Sequence, residues 1–247
     1  MPRTSRKTST TGIYHIMIRG INKQQIFHEN EDNCKFIKIL NDCKQISNFE
    51  LFGYCLMGNH VHLLIKPGNE ALEIIFKRIG TKYVYWYNMK YMRVGHLFQD
   101  RYKSEPIESE RQLLTVLRYI HQNPIKANLC KNVEDYKWSS YYEYIKERNV
   151  VDTAFVLNII TINEFVEFNS SINDDSYLED SKPRIYLNDE NIMKIIKIHF
   201  GCETKEAFKQ LNYYDRNKCI KHLKSEGGTI RQISRLTGLS KGIVERI

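Results

Sequence analysis

The sequence predicts an α+β protein: a ferredoxin-like antiparallel sheet with helices on one face, followed by a C-terminal all-helical region of helix-turn-helix type. Three observations predict it. The first 150 residues read strand, helix, strand-hairpin-strand, helix, strand, helix, without the repeated βα alternation of a parallel sheet. No phosphate-binding glycine loop appears, which argues against a nucleotide cofactor. Charge divides the 247 residues into a basic segment (net +8 over 1–150), an acidic one (−6 over 151–183) and a second basic one (+6 over 184–247). The expected organisation is a main domain over 1–149, an acidic, partly ordered linker over 150–183 and a helical region over 184–247.

Tyr14-His15-Ile16-Met17-Ile18-Arg19 alternates at period two and stops at Gly20, a strand whose polar end carries Arg19. Between about 30 and 47, Cys34, Phe36, Ile37, Ile39, Leu40, Cys43 and Ile46 recur at helical spacing. Residues 49–57 and 60–66 are strands joined by the Gly58-Asn59 turn. Pro67-Gly68-Asn69 breaks the chain before a helix over about 70–91, with Leu72, Ile75, Phe76, Ile79, Tyr83 and Trp86 as its buried stripe. Residues 96–107 read as a fourth strand with a basic, aromatic face of Phe98, Arg101, Tyr102 and Lys103. Residues 108–123 form a helix with acidic residues in its first turn, where the dipole favours them, and Pro124 stops it. Trp138 and the tyrosines at 141, 142 and 144 suggest a last helix closing this domain near 149.

Beyond the acidic stretch, 188–200 and 214–225 are amphipathic helices. Residues 229–244 then read as a helix, a turn at Gly238, a serine cap at Ser240 and a second helix, with apolar groups at 233, 236, 239, 243 and 244. This resembles a helix-turn-helix, whose second helix lies in a DNA groove, and makes Arg231 and Lys241 candidate DNA contacts. Basic segments attract phosphate backbones by counterion release. No run reaches the roughly 18 apolar residues of a membrane span, no signal-peptide pattern follows the basic start, and the six cysteines form no Cys-x-x-Cys pair. A cytoplasmic, nucleoid-associated protein with free thiols is expected.

The chemistry centres on Gly58-Asn59-His60-Val61-His62-Leu63. Side chains alternate along a strand, so His60 and His62 point the same way, just after a turn where a ligand can reach them. Two imidazoles on one surface suit a shared metal ion, although His-x-His alone is a weak signal. On the helix 108–123, Tyr119 and Asn123 lie four apart on one flank, a phenol beside an amide. Spacing alone leaves open an incidental histidine pair and a structural tyrosine.

The His60-Val61-His62 stretch resembles the HUH motif of single-strand DNA transposases that use one tyrosine. Met1-Pro2-Arg3, Tyr14-His15 with Arg19-Gly20-Ile21-Asn22, Gly95-His96-Leu97-Phe98-Gln99 and Tyr119-Ile120-His121-Gln122-Asn123-Pro124 occur in the order found in REP-associated tyrosine transposases. The resemblance covers about residues 1–145. It implies a ferredoxin-like catalytic domain and metal-dependent cleavage and transfer of single-stranded DNA, often beside hairpin-forming repeats. Carried over residue by residue, His60 and His62 match the metal pair, Asn123 the amide that helps hold the metal, and Tyr119 the nucleophile. The C-terminal helical region is not common to all members.

The implied cofactor is Mg²⁺ or Mn²⁺. A free phenol is only about 0.1% ionised at pH 7, a deficit of roughly 4 kcal/mol, and a divalent ion at the scissile phosphate supplies several kcal/mol. Tyr119 would become joined to the 5′-phosphate and leave a 3′-hydroxyl that can reverse the reaction, so strand transfer needs no external energy source. Arg3, Arg19, Arg101 and Lys103 are the candidate contacts to the strand. Whether Tyr119 acts within its own chain or across a homodimer stays open. Two other readings share parts of this pattern: a rolling-circle initiator or relaxase, and a DNA-binding regulator that uses the C-terminal helices with an inactive N-terminal site.

Overall fold

The computed structural model describes residues 6–146, 149–171, 177–178 and 189–247. The chain divides into two compact units, Met1–Glu179 and Asp180–Ile247.

In the first unit, β1 (Ile13–Arg19), α1 (Asn30–Ser47), β2 (Glu50–Met57), β3 (His60–Lys66), α2 (Leu72–Lys90), β4 (Lys103–Ile107) and α3 (Glu110–Lys126) follow in order. The strands form one sheet, β2-β3-β1-β4, with every neighbouring pair antiparallel. This is the split βαβ arrangement of a ferredoxin-like domain, as the sequence order implies. Local chemistry sets the element ends. Glu29 and Asp32 make a reciprocal capping box at the start of α1, and Asn48 ends that helix in the left-handed region. Ser109 caps α3 by accepting the Gln112 N–H at 3.2 Å. Gly68 cannot be replaced without movement, because a Cβ there would sit 1.8 Å from the Asn48 carbonyl oxygen.

The expectation of helices on one face holds for α2, which covers the Ile18 side of the sheet and packs on α1. Helix α3 lies across the other side, where Leu117 closes over Gly53 and Tyr119 over His62. The sheet is therefore buried on both faces, which explains why β2 and β3 are almost wholly buried instead of alternating.

Three expectations need correction. The fourth strand is Lys103–Ile107, not 96–107. The Leu97 carbonyl is taken by the Ile21 N–H and the Gln99 N–H donates to the Arg19 carbonyl, so this segment is spent on the loop after β1. Pro124 does not stop α3 outright: it lies in the last turn, and the helix ends two residues later at Lys126. The segment expected as an acidic linker carries α5 (Thr153–Leu157) and α6 (Ile162–Ser170), after a short α4 (Tyr141–Ile145). Val150, Val151, Val156 and Phe165 are buried in the same core as the sheet. Its acids serve backbone N–H groups: Asp152 accepts the Leu51 N–H of β2 at 2.8 Å, and Glu164 completes a capping box with Thr161. The rest of the expected linker, 172–176 and 179–183, lies outside the described residues.

Glu143 fastens this extension to β2. Its carboxylate accepts the N–H groups of Asn149, Val150 and Val151 at 3.0, 2.6 and 2.8 Å, and the Tyr54 hydroxyl at 2.9 Å. Glu143→Ala strands four buried or part-buried donors, so a loss of about 3 kcal/mol is expected in urea unfolding.

The second unit comprises α7 (Asp189–Phe200), α8 (Lys205–Lys209), α9 (Tyr213–Ser225), α10 (Ile230–Thr237) and α11 (Lys241–Arg246). Its core is built on Ile192, Ile196, Phe208, Ile220, Leu223, Ile233 and Val244. Gly238, at φ 72°, turns the chain after α10, and Ser240 caps α11, as the sequence indicates. Among the described residues no helix is long and apolar enough to cross a membrane.

Candidate metal and nucleophile site

Antiparallel pairing sets Arg19 opposite His60, Met17 opposite His62, and Lys103 and Glu105 opposite Met17 and His15. Paired residues share a face. One surface of the sheet therefore presents His15, Arg19, His60, His62, Lys103 and Glu105, and α3 lies over part of it.

The two histidines of β3 are held differently. Asn59 donates its amide N–H to the Lys23 carbonyl at 3.1 Å, which turns its Oδ1 towards His60 Nδ1 at 2.6 Å. An amide oxygen only accepts, so His60 carries its proton on Nδ1 and a lone pair on Nε2. His62 is fully buried and its Nδ1 lies 2.9 Å from His15 Nε2. His62 Nε2 is buried with no hydrogen-bond partner among the described residues. The rings of His60 and His62 are 4.9 Å apart. Burial holds both His15 and His62 below the ordinary histidine pKa, His15 at about 3, so both imidazoles are neutral at pH 7. A neutral imidazole with an orphaned, buried ring nitrogen suits a cation.

Tyr119 is brought to this pair by α3. Its ring lies 5.7 Å from that of His62 and 5.9 Å from that of His15, edge-on to both. Lys126, two turns later on α3, places its ammonium 5.0 Å from the ring centroid. Asn123, also buried, donates Nδ2–H to the Tyr119 carbonyl at 3.0 Å, which fixes the amide one turn beyond the phenol. Among the described residues no three His, Cys, Asp or Glu side chains gather as a metal cage. Among the described residues the candidate donors are the two imidazoles and, on α3 facing them, the Asn123 amide, a set that suits a hard divalent ion completing its shell with water and phosphate oxygens.

The family model described as "Transposase IS200 like" matches residues 8–123. Residues 8–123 are therefore similar to IS200-like transposases. The match ends at Asn123, so it takes in the histidine pair and Tyr119 but not Lys126. A Haemophilus influenzae protein provisionally named a REP-associated tyrosine transposase is 29% identical over 110 residues, 40% of this chain. The chain spans 62% of the length of that curated relative. A solved structure described as a REP-associated tyrosine transposase bound to a REP hairpin superposes with a TM-score of 0.55 at 13% identity, covering 72% of this chain and 96% of the other. That likeness is one of fold.

The remaining candidates separate. Arg19 and Lys103 lie on the histidine face of the first unit's sheet. Arg101 does not: it lines a cavity of about 380 Å³ with Ile18, Phe76, Phe98 and Tyr102, on the α2 side. Arg3 lies outside the described residues. Arg231 and Lys241 are exposed on α10 and α11 of the second unit. Sequence reasoning gave no role to three neighbours of the site. His15 touches His62 across non-consecutive strands, Lys126 follows Tyr119 at a two-turn spacing, and Tyr177 sets its ring 5.3 Å from Tyr119. Only the Lys126 spacing is a signal visible in the sequence.

Proposed function

We propose that the first unit cuts and rejoins single-stranded DNA through a covalent 5′-phosphotyrosine at Tyr119, next to hairpin-forming repeats. The observation that supports this reading is the packing of the Tyr119 ring against His62, which sets a phenol beside the histidine pair. The phenol oxygen forms the bond to phosphorus, the bond from phosphorus to the 3′-oxygen breaks, and the phenol proton passes to solvent while the departing 3′-oxygen gains one. Tyr119 is fully buried, so DNA reaches its hydroxyl only when the packing around it opens.

His60, His62 and the Asn123 amide would hold a divalent ion, Mg²⁺ or Mn²⁺, which supplies electrostatic stabilisation of the phosphate as its charge develops. Arg19 and Lys103 on the same face neutralise the flanking backbone. Hairpin DNA as the partner follows the name of the solved neighbour, which was bound to a REP hairpin. The test is incubation of the full chain with end-labelled hairpin oligonucleotides in Mn²⁺ or Mg²⁺, followed by a denaturing gel. A protein–DNA adduct, lost with chelator, is expected. No adduct with either ion, together with binding that ignores chelator, would replace the enzyme reading with that of a DNA-binding regulator.

The second unit is read as a duplex-DNA grip through α10 and α11. Replacing Arg231 and Lys241 by Ala should lower the salt dependence of duplex binding by about one counterion per residue, measured as the slope of log affinity against log salt.

A further inference from the structure

We propose that His15 is a positioning residue that fixes the tautomer and ring orientation of His62, so that His62 presents its Nε2 lone pair to the cation site. The hydrogen bond between His15 Nε2 and His62 Nδ1, at 2.9 Å, joins two neutral, fully buried rings and contains one proton. It has two forms. In one, His15 donates from Nε2, and His62, accepting at Nδ1, carries its single ring proton on Nε2, which makes that atom a donor and unable to bind a cation. In the other, His62 donates from Nδ1, Nε2 keeps its lone pair, and His15 holds its remaining proton on Nδ1.

Charges on the neighbouring strands select the second form. Glu105 lies directly across from His15 on β4, on the same face, and a carboxylate there favours an N–H on the His15 side. Arg19, on the same face across from His60, favours a lone pair over an N–H on the His62 side. Across the sheet the order is Glu105 on β4, His15 on β1 and His62 on β3, with Arg19 further along β1 on the same face. The outer atoms of the bonded pair, His15 Nδ1 and His62 Nε2, are both buried without a hydrogen-bond partner among the described residues. A cation at Nε2 relieves one of these two costs and locks the order of the pair. Second-shell partners of metal-bound histidines act in this way, and their loss lowers metal affinity about 10–100-fold.

This inference rests on the metal reading above, and its test keeps the two apart. The tautomer of His62 is read in the metal-free, ¹⁵N-labelled full chain by long-range ¹H–¹⁵N correlation. Mn²⁺ affinity is read separately, by electron paramagnetic resonance titration of the metal alone. The parent is expected to show His62 protonated at Nδ1. His15→Leu should lose that single tautomer and bind Mn²⁺ about 10–100-fold more weakly. His15→Gln retains an acceptor and should restore most of the affinity. A parent protonated at His62 Nε2 overturns the proposal even if His15→Leu fails to fold, and so does a folded His15→Leu that binds Mn²⁺ like the parent. A parent with the Nδ1 tautomer that does not bind Mn²⁺ overturns the claim that the tautomer serves a cation, and it fails the metal reading at the same step.

Discussion

Tyr119→Phe should remove covalent adduct formation altogether, lowering the rate of strand cleavage by a factor on the order of 10⁵. The substitution deletes one oxygen from a fully buried ring that packs against His15, His62 and Tyr177. Phe fills nearly the same volume, so the loss is chemical and not structural, and circular dichroism and thermal unfolding should match the parent. Tyr177 makes the control informative. Its ring also packs against Tyr119, which makes it the alternative nucleophile to exclude. Tyr177→Phe should retain the adduct, and peptide mapping of the parent should place DNA on Tyr119. An adduct that survives Tyr119→Phe, on Tyr177 or elsewhere, would move the nucleophile and leave the histidine face without its assigned partner.

Much of this architecture was legible in the chain because its signals are local. Period-two alternation in β1, the Gly58-Asn59 turn and the helical spacing of Leu72 to Trp86 need no knowledge of distant residues. The topology follows from their order. The site was legible only in part, for the same reason. His60 and His62 are two positions apart, whereas His15 reaches His62 only because β1 and β3 become neighbours with α1 and β2 between them in sequence. Glu105 enters through β4 by the same non-local pairing.

The failures have physical causes too. Pro124 was read as a stop, yet one missing N–H is tolerated two residues before a helix end. Net charge suggested a linker over 150–183, but Asp152 and Glu164 are spent on backbone N–H groups while Val156 and Phe165 enter the core. Composition counts charges without saying which of them cap. Arg101 and Lys103, two apart in sequence, would share a face on a regular strand. They do not, since β4 begins only at Lys103.

His60→Ala is the substitution with the second largest expected effect: adduct formation in Mn²⁺ should fall by about 10³, and Mn²⁺ affinity should fall with it. The choice of His60 over His62 follows from burial. His62 is fully buried and bonded to His15, so His62→Ala opens a cavity and strands a buried acceptor or donor, costing about 2–4 kcal/mol of stability on top of any metal effect. His60 is only half-buried at the turn, and its bonded partner Asn59 is exposed enough to find water. Its loss therefore reports on the cation with little confusion from folding. Two imidazoles and one amide make a sparse donor set, so deleting one imidazole removes about a third of what the protein contributes. On the shared-ion reading, the double variant His60→Ala, His62→Ala should cut strand cleavage little further than either single change. If the losses instead multiply, the histidines act independently, and the shared-ion reading of this face fails even should Tyr119 prove to be the nucleophile.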